Sequence, residues 1–190
     1  SRRFYDLHVP VFVYSIPLSA SSILSIAQMN SMRSLFMFTR IFKLLYVGSI
    51  HGFSASAFND RCLNCGPLIA VCKSTENHIF GYYCSVPWKS THRQPLVLPG
   101  NSFLFKMLDD RVVKFDQSQA YVDYDPCTLI DNGKEFFVWD RANENDKSCA
   151  KIARECHDMP KDFDGDTKSF LAGREHFRLT EMEIYTVNEQ

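Results

Sequence analysis

The sequence predicts a mixed α+β protein, mostly an antiparallel β-sandwich of two sheets that short helices flank. Short apolar stretches recur at the spacing of β-hairpins, with Ser, Thr, Asn and Asp between them, and few stretches have a helical period. Hydrophobic residues make up 45% of the chain and sixteen residues are Phe, which is enough apolar surface for a packed core. At 190 residues, the chain is long enough for one such domain.

The first part of the chain has no charged residue over positions 9–32, a feature shared by membrane spans and signal segments. Two prolines and several serines interrupt this stretch, and each proline would cost about 3 kcal/mol inside a helix. We therefore predict an extended arm over residues 1–21, a helix near Ser22–Phe38, and a domain over residues 22–190. The chain begins at Ser1 and not at Met, which is consistent with a fragment of a longer protein.

The rest of the chain contains the predicted strands and one further short helix. An apolar run of four to eight residues suits a strand, and turn residues such as those of "STEN" between two runs indicate a hairpin. Strands are predicted at Phe42–Val47, Leu68–Lys73, Ile79–Val86 and Glu135–Trp139, a hairpin at Ser102–Phe115, and a helix at Ala55–Leu63. The charged and small residues from Asp140 to Gly165 predict a long surface loop.

The last predicted strand, "HFRLTEMEIYTV", changes the phase of its apolar alternation. Phe177 and Leu179 lie in one phase, whereas Met182 and Ile184 lie in the other. A strand that keeps its apolar side chains on the core needs one extra residue to absorb this change. We therefore predict a β-bulge near Thr180–Glu181.

A corner in the stretch "FKLLYVGSIHGFSASAFNDRC" raises the question of a catalytic serine, because Ser49 lies two residues from His51. The nucleophile-elbow motif has glycines at two-residue spacing on both sides of its serine, and "YVGSIHG" does not. Gly48 and Gly52 provide the backbone freedom of a turn, and Ser54 fits the N-cap of the following helix. The pattern therefore favours a structural corner.

Seven cysteines at irregular spacing do not indicate a disulfide framework and favour reduced thiols in a cytoplasmic protein. Cys62 and Cys65 have the spacing of half a zinc site or of a thiol-redox pair. The other candidate ligands, Cys149, Cys156 and His157, are spaced more loosely than in structural zinc sites. We predict no metal and no cofactor, and a redox role of the pair stays open as an alternative.

The acidic residues offer no coherent catalytic or calcium site. In "DFDGDTKSFLAGRE", a calcium loop that starts at Asp162 would have Thr167 in place of the required glycine and Gly173 in place of the bidentate glutamate. The remaining carboxylates stand in predicted turns, where solvated side chains are usual: Asp109, Asp110, Asp123, Asp125 and Asp131. The sequence therefore predicts a protein that is not an enzyme.

Charge and aromatic content point to protein partners. With 21 basic and 22 acidic residues, a net charge of −1 and no Lys/Arg block, the chain lacks the electrostatic footprint of a nucleic-acid-binding or membrane-surface protein. Trp88 follows Pro87 in "SVPWKS" and is a candidate surface aromatic, since aromatic residues are enriched at interface hot spots. The alternative for Trp88 is an edge residue that caps a sheet.

Four blocks of the chain, taken together, resemble the TLDc domain family: "FKLLYVGSIHGFSASAFNDRC", "GPLIAVCKSTENHIFGYYCSVPW", "NSFLFKM" and "FLAGREHFRLTEMEIYTV". They occur in the family's order and at about its spacing, and the resemblance covers Ser22 to Val187. The combination of "LLY-x-GS-x-x-GFSA-x-x-F" with "IFG-x-Y-x-S-x-PW" is specific, although each piece alone is weak. His51 stands where the family usually has Asp, Tyr82 where a second Gly is common, and the segment Arg141–Asp166 follows no family pattern.

The resemblance implies a β-sandwich of two antiparallel sheets with short helices, in agreement with the strand pattern. It also implies a protein associated with resistance to oxidative stress, and members of the family bind the vacuolar-type proton ATPase. We therefore expect a non-enzymatic interaction module that docks on a large assembly, with this ATPase as the first candidate partner. Its interaction surface is assigned to Trp88 and to three charged residues of the last block, Arg174, Glu181 and Glu183.

Two alternatives come from other functional classes. The first is a structural component of a cytoskeletal (axonemal) or organellar assembly, which the uncharged arm over residues 1–21 would hold in place. The second is a thiol-based redox enzyme that uses Cys62 or Cys65. The expected location is cytoplasmic, including the periphery of an organelle membrane or of a cytoskeletal assembly.

Overall fold

The computed structural model describes residues 21–36, 40–88, 96–98, 101–116, 120–122, 127–132, 135–152, 159–161, 163 and 165–189. Several predicted features lie outside these residues: the arm apart from Ser21, the end of the first helix at Met37 and Phe38, and the residues Asp123, Asp125, Cys156, His157, Asp162 and Asp164.

The described part of the chain forms antiparallel sheets with three short helices. The large sheet contains, in order across it, β1 (Arg40–Val47), β12 (Leu179–Glu189), β2 (Leu68–Ser74), β3 (Ile79–Cys84), β5 (Phe103–Leu108) and β6 (Arg111–Asp116). The small sheet contains β11 (His176–Phe177), β10 (Ser148–Ala150), β9 (Phe136–Trp139) and β8 (Thr128–Asp131), and β4 (Leu96–Leu98) pairs with β7 (Ala120–Val122). The helices are α1 (Ile26–Arg33), α2 (Gly48–His51) and α3 (Ala55–Cys62).

Aromatic side chains join the two main sheets face to face. Phe80 of β3 packs edge-on against Phe136 of β9 and Phe177 of β11, with ring centroids 6.1 and 5.1 Å apart. Tyr82, two residues along the same strand, lies 6.0 Å from Phe136. Each such buried ring contributes roughly 1.5–3 kcal/mol through the apolar surface it removes from water. The predicted α+β sandwich is thereby confirmed.

Helix α1 and the residues around it cover the opposite face of the large sheet. Met29 and Met32 of the helix are buried in a second apolar cluster. Phe36, just after the helix, packs its ring against Phe42 and Tyr83 with centroids 5.5 and 5.0 Å apart. The central strands β2, β3 and β5 are therefore buried on both faces, which explains why their sequences are nearly continuous apolar runs.

Several local predictions are confirmed. Ser54 is the N-cap of α3, and its hydroxyl accepts the Ala57 N–H at 3.2 Å. The hairpin that links β5 to β6 turns at Asp109, whose φ of 53° is left-handed. The pairing of β12 with β2 shifts register between Leu179 and Glu181, which is the predicted bulge.

The first helix is shorter than predicted. It begins at Ile26 instead of Ser22, because Ser25 and Gln28 form a capping box in which each side chain bonds the other's backbone N–H. The residues before the helix, Ser21 and Ser22, instead donate hydrogen bonds to the Glu183 carboxylate. The helix ends at Arg33.

Two further boundaries differ from the prediction. Strand β3 ends at Cys84 rather than Val86, because the chain turns where the Ser85 N–H donates to the Ser102 hydroxyl at 3.1 Å. The predicted surface loop at 140–165 contains the buried strand β10. A strand of three residues is too short to produce a readable apolar period.

Candidate interaction surface

The corner after β1 is held by side chains that bond the backbone. The Tyr46 hydroxyl donates to the Gly52 carbonyl, and the Nδ1 atom of His51 accepts the Val47 N–H at 2.9 Å. Gly52 closes the turn with a φ of 90°, a conformation that side chains other than glycine rarely adopt. These bonds fix the short helix α2 at the end of the strand.

Ser49 and His51 do not form a nucleophile–base pair. The His51 Nδ1 atom is occupied by the Val47 N–H, and in the described chain no hydrogen bond joins His51 to Ser49. The backbone N–H of Ser49 donates instead to Oε1 of Glu181, at 3.0 Å. The corner is therefore structural, as the sequence favoured.

Glu181 braces α2 against the large sheet from the bulge of β12. Its Oε1 atom accepts the N–H groups of both Ser49 and Met182. A Cβ on Gly48 would lie 2.5 Å from the Phe53 ring and 3.1 Å from this same oxygen, so the first residue of α2 must be small. Glu181 was predicted as an interaction residue; it is half-buried and its carboxylate holds the corner.

The braced corner presents one apolar side chain to solvent. Ile50 is 74% exposed, more than the other exposed large apolar side chains of the described residues, Ile26 at 59% and Ile41 at 40%. Sequence reasoning missed Ile50, although an isoleucine enclosed by glycines in "GSIHG" is the pattern that could have indicated it.

Glu183, the second predicted interaction residue of β12, is not on the surface. It is fully buried, and its carboxylate accepts the Ser21 hydroxyl at 2.8 Å, the Tyr185 hydroxyl at 2.7 Å, and the N–H and hydroxyl of Ser22. The Ser21 hydroxyl in turn accepts the Leu24 N–H at 2.9 Å. Glu183 therefore anchors the segment before α1, and the surface prediction is wrong because both faces of β12 are covered.

Trp88 is also in the core, with 3% exposure, so its prediction as a surface aromatic is wrong. After β3 the chain folds back: the Trp88 N–H donates to the Cys65 carbonyl at 3.1 Å, and the Trp88 carbonyl accepts the Asn64 N–H. The indole ring then packs edge-on against Phe58 of α3, with centroids 6.3 Å apart.

Arg174 has an exposed side chain. Its Nε atom lies 3.5 Å from Oε1 of Glu76, which belongs to the β2–β3 turn. The preceding Gly173 has a φ of +91°, and a Cβ there would lie 2.6 Å from the His78 ring. Arg174 thus marks the place where the segment before β11 packs on this turn, and its role in binding stays a prediction.

Burial keeps several thiols protonated. It raises the pKa of Cys62 to about 12 and that of Cys84 to about 11, and it also raises the pKa of Cys72 and Cys149. Cys65, which is half-buried, follows the end of α3, and its thiol donates to the Arg61 carbonyl at 3.5 Å. Burial therefore favours the thiol over the reactive thiolate at Cys62, Cys72, Cys84 and Cys149.

The candidate metal ligands do not converge where they are described. Among the described residues, no group of three or more His, Cys, Asp or Glu side chains could hold an ion. In the acidic turn, Asp166 caps its own backbone: its Oδ1 accepts the Lys168 N–H at 3.1 Å and its carbonyl accepts the Ser169 N–H at 2.9 Å. Asp109 and Asp110 are exposed in a hairpin turn, as expected for solvated carboxylates.

None of the described helices combines the length and the apolar composition needed to cross a bilayer.

Comparison with known proteins gives one match over most of the chain. The model of the TLDc domain matches residues 18–188. Interferon-induced protein 44 of Homo sapiens and that of Pan troglodytes are each 40% identical over 55 residues, which cover 29% of this chain and 12% of those relatives. These relatives are thus similar to part of this chain, whereas the domain match includes the corner, both main sheets and the Glu183 anchor. The chain belongs to the TLDc domain family, a family of oxidation-resistance-type interaction modules.

Proposed function

We propose that this chain is a non-enzymatic TLDc interaction module that docks on a large assembly. The observation that carries the proposal is the corner at α2, where Ile50 is 74% exposed on a turn fixed by His51 and Glu181. A turn whose backbone is already fixed loses little conformational freedom on binding, so more of the burial energy of its apolar side chain contributes to affinity.

The chemistry of the described residues supports binding over turnover. Within the described residues no hydrogen bond joins Ser49 to a histidine, and the Nδ1 of His51 accepts the Val47 N–H. Burial raises the pKa of Cys62, which opposes nucleophilic or redox use of the Cys62–Cys65 pair at neutral pH.

The first candidate partner is the vacuolar-type proton ATPase, and the expected location is cytoplasmic, at the periphery of an organelle membrane. The family resemblance suggests this partner and an association with resistance to oxidative stress. The surface chemistry that supports a protein partner is the apolar Ile50 together with the charged pair Arg174–Glu76.

The test is comigration of the chain with ATPase subunits on a blue-native gel, followed by affinity measurement. We expect Ile50→Glu to weaken binding about tenfold or more, as for an interface hot spot. Ile26→Glu is the matched control, because Ile26 is also mostly exposed but lies on α1. Equal binding by both variants would remove the corner from the interface, and a wild-type chain that never comigrates would remove this partner.

Truncation of residues 1–20 separates docking from the structural-component alternative. The truncated chain keeps Ser21 and Ser22, which bond Glu183. A docking module should bind as before, whereas a component held in a cytoskeletal or organellar assembly by its arm should no longer be incorporated.

A further inference from the structure

The large sheet opens at one end, between β3 and β5. These strands pair from Tyr83–Phe103 to Phe80–Lys106, where their ladder ends. Each strand continues with its other neighbour, β3 with β2 to Ile79 and β5 with β6 to Leu108. The opening forms a cleft of about 440 Å³ that polar side chains line, among them Lys73, Asn77, His78 and Lys106.

One wall of the cleft contains the buried ammonium group of Lys106, which has no carboxylate as an ion-pair partner among the described residues. Lys106 is 5% exposed, and its Nζ atom donates to the Phe170 carbonyl and to Nδ1 of His78 at 2.9 Å. The same atom lies 4.8 Å from the centre of the Phe170 ring. Among the described residues, no Asp or Glu forms an ion pair with it. A buried charge without an opposite charge is costly, so a negative ligand would be stabilised here.

Lys73 brings a second cation to the opening. Paired residues share a face of a sheet, so Lys73 lies on the face of Ile79 and Lys106 on the face of Phe80. The two side chains therefore approach the opening from opposite faces. Lys73 lines the cleft, and within the described residues its ammonium group forms no ion pair.

We propose that this cleft binds an oxyanion, a carboxylate or a phosphate group, between Lys73 and Lys106. Charge-assisted hydrogen bonds from ammonium groups are the usual means of holding such groups. His78 accepts from Lys106 through Nδ1, so its Nε2–H remains as a further donor. The amide of Asn77 supplies another donor at the rim.

The acidic groups nearby do not neutralise the cleft. Glu76 of the β2–β3 turn pairs with Arg174 of the neighbouring segment. Asp109 of the β5–β6 turn lines the cleft but is exposed, and its carbonyl accepts the side-chain N–H of Gln28 at 2.8 Å. Among the described residues, the titratable side chains that line the cleft are Lys73, His78, Lys106 and Asp109.

The site has a characteristic dependence on pH. Burial lowers the pKa of Lys106 from 10.5 to about 8, and burial together with Lys106 also lowers the pKa of His78. A bound oxyanion favours the protonated lysine, so binding and proton uptake at Lys106 assist each other. Affinity should therefore fall about tenfold between pH 8 and pH 9.5, a range in which phosphate and carboxylate themselves keep their charge.

The experiment is an NMR titration of the full chain at constant ionic strength with inorganic phosphate, with N-acetylglycine, and with N-acetylglycine amide. We expect shifts of the backbone amides of residues 73–80 and 106–109, with the uncharged amide inactive. Lys73→Met and Lys106→Met should each weaken binding about tenfold, whereas Lys43→Met, the same change at an exposed site on β1, should have no effect. Lys73→Met keeps the test decisive if Lys106→Met fails to fold.

The ligands distinguish two sources of the oxyanion. Binding of phosphate alone supports a phosphorylated ligand, and binding of N-acetylglycine alone supports a terminal or side-chain carboxylate. Absence of shifts with both oxyanions, shifts that persist in Lys73→Met, or an affinity that does not change from pH 8 to pH 9.5 would each overturn the proposal.

Discussion

His51 accepts a backbone N–H within the turn after β1, a role that more than one residue type can fill. The resemblance to the TLDc family places Asp at this position, and the structure explains why a histidine is tolerated there. Its Nδ1 atom accepts the Val47 N–H at 2.9 Å, a bond that an oxygen of Asp or Asn at the same distance from the backbone can also form. The task at this position is to accept a backbone N–H.

Substitution of His51 tests this role. We expect His51→Ala to lower the free energy of unfolding by about 1 kcal/mol, because the Val47 N–H loses its acceptor. His51→Asn and His51→Asp should stay within about 0.5 kcal/mol of the wild type. Urea denaturation measures all three. If His51→Asn costs as much as His51→Ala, the ring packing against Tyr46, whose centroid lies 5.7 Å away, matters more than the bond.

The glycine of the "IFG" motif shows a steric requirement on a strand. A Cβ on Gly81 would lie 1.9 Å from the Ala70 carbonyl oxygen of the neighbouring strand and 2.7 Å from the Phe105 ring. Because the first contact is with backbone, β2 and β3 would have to separate to admit a methyl group. We expect Gly81→Ala to destabilise the fold by about 3 kcal/mol.

Gly52→Ala is the comparison for this prediction. Gly52 has no atom within 4 Å of an added Cβ, but its φ is +90°, so the cost there is backbone strain of about 1–2 kcal/mol. Calorimetric melting of both variants should rank Gly81→Ala as the more damaging. The reverse order would mean that the strands yield to the methyl group.

Strand β12 acts as the element that ties the first described residues to the last. Glu183 lies in its middle and accepts hydrogen bonds from Ser21, Ser22 and Tyr185. Replacing it by Gln leaves one acceptor oxygen. The other oxygen becomes an amide N–H₂ group that faces hydroxyl groups which now donate to the carboxylate. We expect Glu183→Gln to cost about 1–3 kcal/mol and to speed hydrogen exchange at Ser22 and Leu24.

Glu181→Gln is the control for the Glu183 anchor. A glutamine there keeps the oxygen that accepts the Ser49 N–H, so stability and exchange of residues 21–24 should change little. Exchange that stays slow at these residues in Glu183→Gln would show that the packing of α1, and not the carboxylate, holds the segment.

Across the whole molecule, the sequence predicted what depends on short-range patterns. Apolar runs and turn residues located β2, β3, β5, β6 and β9, and the phase change located the bulge at Leu179–Glu181. Burial of polar or amphipathic side chains depends on which elements meet. In the sequence, Glu183 and Trp88 resemble surface residues. In the fold, the segment before α1 buries Glu183, and Trp88 packs under α3.

The candidate sites were hidden for the same reason. Lys106 is a single cation inside the apolar run "SFLFKM", and only the packing of Phe170 over β5 turns it into a buried ammonium group. Ile50 is one more apolar residue in the sequence, and only the direction of the α2 turn makes it exposed.

Lys106 also links the stability of the whole domain to pH. Its folded-state pKa of about 8 lies below the ordinary 10.5, so between these values the unfolded chain binds more protons than the folded one. Stability contributed by this residue therefore rises with pH through that window, and below pH 8 its desolvation cost is constant. The buried thiols act in the opposite direction, because a raised thiol pKa makes the folded state retain protons above about pH 9.

The difference between wild type and Lys106→Met isolates the contribution of the lysine, since the thiols are common to both. We expect the stability of the wild type relative to the variant to increase by about 2 kcal/mol between pH 8 and pH 9.5. Urea denaturation at both pH values, in buffer without phosphate or carboxylate, measures it. A difference that does not change with pH would show that the ammonium group of Lys106 is as well solvated in the folded domain as in the unfolded chain, and the case for an anion in the cleft would lose its electrostatic basis.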